Sequence, residues 1–194
     1  YLASMLEQEG ETVTVLDFSA EPFQEQTLMT AVQSADIVGI TVLSPSVKEA
    51  KNLISLIKRQ HPDIPIILGG PHCTLLQKRM LDETQADVCV QGDGEQIINE
   101  IKKALNKQKE FSQIPGVFYR TTTGVKHGQS PQLIQDLNSI PFPARHLVQQ
   151  YTYGREYNPH LKAGEFTSII TSRGCPYSCR FCSRGSISMQ RYRI

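Results

Sequence analysis

The chain has 194 residues, long enough for one sizeable core and part of a second, and its 39% hydrophobic and 20% charged composition is that of an ordinary globular protein. A net charge of +1 supplies no field that would select nucleic acid or an anionic membrane as partner. The longest apolar runs, residues 37–43 and 64–68, fall far short of the roughly 20 residues a membrane helix needs, so no membrane span is expected.

Residues 1–9 carry Leu2, Met5 and Leu6 at helical spacing, with Gly10 where a C-terminal cap glycine belongs. Residues 12–16 alternate and are β-branched, which predicts a strand ending at Asp17, and a helix is predicted over 25–34. The nearly uninterrupted apolar run at 36–43 (DIVGITVL) suits a strand of a parallel sheet buried on both faces. Val47, Leu53, Ile54, Leu56 and Ile57 predict a helix over 46–60, followed by a strand at 64–68, a sharp Gly69-Gly70-Pro71 loop and a short helix over 75–82. A strand at 87–91, the Gly92-Asp93-Gly94 turn and a helix over 95–106 complete the series. Regular alternation of strand and helix argues for an open, doubly wound, flavodoxin-like parallel sheet with helices on both faces. If 1–9 is the first crossover helix, the central first strand is expected upstream of Tyr1.

After Lys107 the pattern changes. Residues 116–120 (GVFYR) and Val125 predict a small hairpin around Thr123-Gly124, and the two prolines flanking Phe142 predict an extended connector. One further strand is predicted at 166–171, running directly into a cysteine-rich loop. The expected organisation is therefore a ligand-binding domain over 1–107, a linker with a small hairpin over 108–165, and the start of a second domain over 166–194.

Five cysteines is an odd count, and three of them, Cys175, Cys179 and Cys182, form C-x3-C-x2-C. That is poor arithmetic for a disulfide framework and good arithmetic for a metal or cluster site in a reducing compartment, which points to the cytoplasm. Three thiolates on one tight loop can hold three irons of a four-iron cluster and leave the fourth open to chemistry. Spacing alone leaves a zinc site open, provided that Cys73, Cys89 or a histidine such as His160 supplied a fourth ligand. Cys73 and Cys89 read most simply as packing thiols. Arg145, Arg184, Arg191 and Arg193 read as solvated or interdomain charges, and Arg173 is left without a role.

In doubly wound sheets ligands bind at the carboxyl ends of the strands, where three loops lie: 43–46, 69–72 and 92–95. Their glycines permit close approach of a ligand, yet each could equally be a turn that any such unit needs, with Glu95 merely complementing a helix N-terminus.

The stretch from Thr171 to Cys182, TSRGCPYSCRFC, resembles the signature loop of radical S-adenosylmethionine enzymes. GGPH at 69–72, QGDGE at 91–95, IPGVFYR at 114–120 and IPFPAR at 140–145 extend the likeness to the cobalamin-binding class of that family. This class includes anaerobic magnesium-protoporphyrin ester cyclase-like and methyltransferase-like members. The resemblance implies a [4Fe–4S] cluster on Cys175, Cys179 and Cys182, S-adenosylmethionine on its open iron, and Phe181 at the aromatic position beside that cofactor. It implies cobalamin bordered by Ser44, Gly69, Gly70, His72, Gly92, Gly94 and Glu95, without a histidine ligand to cobalt from this segment, since no D-x-H-x-x-G motif occurs in it and the place of that motif after the first strand is expected upstream of Tyr1. Residues 166–171 would then open a truncated (β/α) barrel. The implied reaction is methyl transfer or anaerobic oxidative cyclisation of a small-molecule substrate, tetrapyrrole-type included, with electrons from a ferredoxin or flavodoxin; no catalytic side chain can be singled out. The chain by itself is expected to be inactive. The competing readings are a radical enzyme whose doubly wound domain has lost cobalamin, a non-catalytic corrinoid carrier or ligand-binding module, and a zinc-stapled structural module.

Overall fold

The computed structural model describes residues 1–155, 157–177, 179–182 and 192–194. Helix α1 (Leu2–Gln8) ends in a double reverse bond: Gly10, at φ +82°, donates to Glu7 O and Glu11 donates to Leu6 O. Only a left-handed residue closes the helix this way, which is why glycine follows it. Helix α2 (Glu25–Gln33), strand β1 (Val38–Thr41) and helix α3 (Val47–Gln60) follow as the pattern predicts. Then come β2 (Ile66–Gly69), α4 (Pro71–Leu76), α5 (Lys78–Asp82), β3 (Val88–Val90) and α6 (Ile98–Leu105). The hairpin strands β4 (Val117–Thr121) and β5 (Gly124–His127) complete the α-helices and strands among the described residues.

The sheet is open, five-stranded and ordered β1-β2-β3-β4-β5, with the first three strands parallel and the last two antiparallel. Strand alternation divides two cores across it. Ile66, Leu68 and Cys89 face Leu28, Val32, Ile54, Ile57 and Met80, whereas Ile67, Val88 and Val90 face Ile97, Ile101 and Ala104 of the α6 side. Helices thus cover both faces, as the alternating pattern requires. α1 packs on α6, tied by Asn99 Nδ2 donating to Met5 O at 3.2 Å and by a Lys102–Glu11 ion pair.

Several expectations are corrected. The hairpin read as part of a linker is the far edge of the main sheet, because β4 lies antiparallel along β3. The helix expected over 75–82 starts earlier and is broken into α4 and α5 at Gln77, which sits at φ +51°. Residues 12–16 form no strand: their backbone lies beside Tyr151, whose hydroxyl donates to Val15 O and accepts from Asp17 N, both at 3.2 Å. Residues 166–171 also form no strand, since no neighbouring strand is at hand among the described residues; Arg145 ties them instead through Thr167 Oγ1 and Ser168 O. Ile169 and Ile170 are left exposed. Among the described residues β1 pairs with β2 alone, and its Gly39 and Thr41, expected to be covered, face outward.

Candidate functional site

The three loops singled out by the sequence all leave the carboxyl ends of β1, β2 and β3. Ser44 Oγ lies 2.9 Å from His72 Nδ1, which joins the first loop to the second. The second is bound to the third through Thr74, which sequence reasoning missed. Thr74, nearly buried, donates its hydroxyl to Gly70 O at 3.1 Å and accepts from Gly92 N at 3.0 Å. A hydroxyl one turn into the helix that follows Gly-Gly-Pro was the available signal for it.

The glycines of these loops are glycine for different reasons. Gly70 (φ +94°) and Gly92 (φ +86°) occupy left-handed backbone, and a Cβ on Gly70 would stand 3.0 Å from Val42 O. Gly94 lies beneath α1, where a Cβ would meet Leu2 Cδ2 at 3.3 Å. Gly69 needs neither explanation. Its backbone is ordinary strand, and a Cβ there would meet no heavy atom within 4 Å. Gly39 is open in the same way, and Thr41, paired in register with Gly69, is exposed between them. Gly39, Thr41 and Gly69 therefore leave a low floor around Ile67 on one face of β1 and β2, at the end where the Ser44–His72 pair forms a rim. Such a floor fits a broad, flat organic ligand that must approach the backbone closely.

Glu95 is held by an arginine. Its Oε1 accepts from Arg173 Nη2 at 2.5 Å and its Oε2 from Arg173 Nη1 at 3.1 Å, so both oxygens are committed to one guanidinium. The Glu95 bond, with Coulombic help from Glu95 and Asp93, holds Arg173 protonated beyond its ordinary range against the opposing effect of burial. Asp93 accepts from Arg193 at 2.5 Å and from Arg173 at 3.4 Å. Arg193, read as solvated or interdomain, is buried and paired, while Arg184 and Arg191 lie outside the described residues.

Arg173 stands two residues before Cys175. Cys175 is half-buried and Cys179 and Cys182 are exposed, with a turn closed by Cys182 N donating to Cys179 O at 3.2 Å. Among the described residues no three His, Cys, Asp or Glu side chains converge in ligating geometry, so the loop is not drawn up around a centre. The donor set nevertheless fits a cluster with an open iron: three accessible thiols on one loop. Cys73 and Cys89 are fully buried, and the Cys73 contact together with burial pushes the Cys89 thiol far up. Neither gathers with the other cysteines into a ligating group among the described residues. Phe181 is 94% exposed and available to a ligand.

Comparison with known proteins agrees with this layout. The family profile described as the B12 binding domain matches residues 1–102. An uncharacterized methyltransferase of Pyrococcus horikoshii is 31% identical over the whole chain, which covers 41% of that protein. The anaerobic magnesium-protoporphyrin IX monomethyl ester cyclase of Rubrivivax gelatinosus is 29% identical over 95% of the chain and 34% of its own length. The chain therefore spans less than half the length of these curated relatives. Among solved structures, the radical S-adenosylmethionine methyltransferase TsrM from Kitasatospora setae, with cobalamin and a [4Fe–4S] cluster bound, superposes with a TM-score of 0.71 at 24% identity. It covers 98% of this chain and 39% of its own. At that identity the likeness speaks for the fold. With the profile covering more than half of the sequence and a relative of 31% identity aligned along all of it, the chain belongs to the B12-binding domain family.

Proposed function

We propose that this chain is the cobalamin-binding portion and the cluster loop of a cobalamin-dependent radical S-adenosylmethionine enzyme that carries out methyl transfer or anaerobic oxidative cyclisation on a small molecule. The observation that carries this reading is the tie between Arg173 and Glu95, which holds the root of the cysteine loop at the same end of the sheet as the glycine floor. In this reading residues 1–107, with the hairpin completing the sheet, hold cobalamin; 108–165 connect; and 166–194 open the barrel. Ser44, Gly69, Gly70, His72, Gly92 and Gly94 border the corrin and its tail. Cys175, Cys179 and Cys182 hold the cluster, and Phe181 lies beside S-adenosylmethionine. When bound, these cofactors supply one-electron cleavage of a sulfonium and a cobalt-centred transfer, and the protein's part is to place them. Placement in the cytoplasm and an external electron donor such as ferredoxin or flavodoxin belong to the same proposal. Among the described residues no helix is long and apolar enough to cross a membrane.

The test uses the full-length protein that contains this chain, reconstituted without oxygen. Reduction with dithionite in the presence of S-adenosylmethionine should release 5′-deoxyadenosine, and aquacobalamin should bind in a spectrophotometric titration. Cys175→Ala should abolish the first and spare the second. Cobalamin binding without any 5′-deoxyadenosine would make the protein a corrinoid carrier. Cleavage without cobalamin binding would leave a radical enzyme whose doubly wound domain has lost its ligand.

A further inference from the structure

Arg173 precedes the three clustered cysteines and Arg193 follows them, and both are drawn onto one loop of the other domain. Arg173 and Arg193 pair as an antiparallel bridge, with reciprocal N–H···O contacts of 2.9 and 2.8 Å. Their side chains then reach the Gly92–Glu95 loop together: Arg173 to Glu95 and Asp93, Arg193 to Asp93 and to Ile134 O at 2.8 Å. Ile134 N closes the group by donating to Asp93 Oδ2 at 3.2 Å. Arg173 also lies over the Tyr1 ring, 5.5 Å from its centroid.

All four charged side chains are withdrawn from solvent, with exposures of 17% for Arg173, 10% for Glu95, 7% for Asp93 and 3% for Arg193. Two guanidiniums and two carboxylates balance, which burial demands. A hydrophobic contact would have joined the two parts at least as firmly; what a bidentate guanidinium–carboxylate pair adds is direction and register. The receiving loop is itself fixed to the floor, through the left-handed turn at Gly92 and the Thr74 hydroxyl.

We propose that Arg173 and Glu95, with Asp93 and Arg193, form a positioning lock that sets where the cysteine loop stands relative to the ligand face of the sheet, and that the Glu95 carboxylate serves this lock and not the cobalamin. Cys175 follows Arg173 by two residues, so a displaced guanidinium moves the first thiol with it. The lock rests on the two-cofactor reading above, but its existence can be measured apart from that reading.

The experiment compares the full-length reconstituted protein with Glu95→Gln, Arg173→Met and the double variant. Each is assayed for iron and cobalt, for amide exchange of the peptide covering 171–177, and for electron paramagnetic resonance of the reduced cluster with and without cob(II)alamin. The lock predicts that both single variants keep iron and cobalt while exchange of that peptide rises about tenfold. The cluster signal alone stays as in wild type, but its magnetic broadening by cob(II)alamin, which depends steeply on distance, becomes heterogeneous. The double variant should be no worse than either single one, because it leaves no unpaired buried charge on this pair. Loss of cobalt from Glu95→Gln but not from Arg173→Met would assign the carboxylate to cobalamin and overturn the proposal. Unchanged exchange and unchanged broadening would overturn it too. If wild type holds no iron or no cobalt, the two-cofactor reading fails, and the exchange measurement alone decides whether the lock exists.

Discussion

Two adjacent glycines with opposite physical roles give a sharp test of the floor. Gly69 ends β2 with ordinary strand backbone, and a Cβ there would meet no heavy atom beyond its chain neighbours within 4 Å. Gly69→Val should therefore leave the cobalamin-free protein within about 1 kcal/mol of wild type, since a β-branched residue suits a strand and restrains the unfolded chain. Gly70→Ala should cost about 2–4 kcal/mol, the sum of left-handed strain and crowding by a Cβ against close neighbours. Those neighbours are Val42 O at 3.0 Å and Thr41 Cγ2 at 3.1 Å. Urea denaturation without cobalamin measures both. Aquacobalamin titration then separates them: if the ligand lies on the floor, the valine occupies its place, and affinity should fall at least about 100-fold, equivalent to ~2.7 kcal/mol. A Gly69→Val protein as unstable as Gly70→Ala, or one that binds cobalamin like wild type, would refute the reasoning.

Other parts of the structure make separate predictions. Arg120 donates to three carbonyls at the end of α5 and before β3, those of Leu81, Thr84 and Ala86, so Arg120→Met should lower unfolding stability by about 2–3 kcal/mol in the same denaturation assay. Lys51 first and Arg79 next hold the Glu83 carboxyl down to about 2. A depressed carboxylate contributes stability above its unfolded value and loses it as pH falls toward the folded one. Acid titration followed by circular dichroism should thus show wild type weakening between about pH 5 and pH 2 more steeply than Glu83→Gln. Replacing both buried thiols, Cys73→Ala and Cys89→Ala, should cost stability through the cavities it leaves yet spare the iron content of the reconstituted protein. Loss of iron there would show that the core thiols ligate.

What could be read from the sequence was what local periodicity controls. The apolar runs at β1 and β2 and the amphipathic spacing of α3 announce strands and a helix, because burial on a sheet or along a helix stripe imposes those periods. Residues 12–16 and 166–171 alternate in the same way but form no strand, since alternation marks a segment able to pair and does not supply the partner, which is not found among the described residues. The same rule under-reads the hairpin, whose pattern is identical whether it stands alone or docks along β3. The turn at Gln77 carries no glycine to announce its left-handed backbone.

The site divides likewise. Glycine-rich turns and clustered cysteines are local and legible, whereas the ion pairs that anchor the cysteine loop join residues 78 and 100 positions apart. Opposite charges at such separations leave no periodic trace. The available hint was chemical: two acidic residues, Asp93 and Glu95, in a glycine turn at a strand end, and an arginine immediately before a cysteine motif. Glu95, which the resemblance places beside cobalamin, has its carboxylate bound by Arg173, and the Glu95→Gln and Arg173→Met variants decide between the two roles.

The central claim is that two cofactors sit on separable parts of one chain. Quantifying iron, zinc and cobalt in the anaerobically reconstituted full-length protein, beside a Cys175→Ala, Cys179→Ala, Cys182→Ala variant, tests it most directly. The expected result is about four irons and one cobalt per chain, with the variant losing iron alone. Zinc in place of iron, or cobalt lost together with iron, would contradict it.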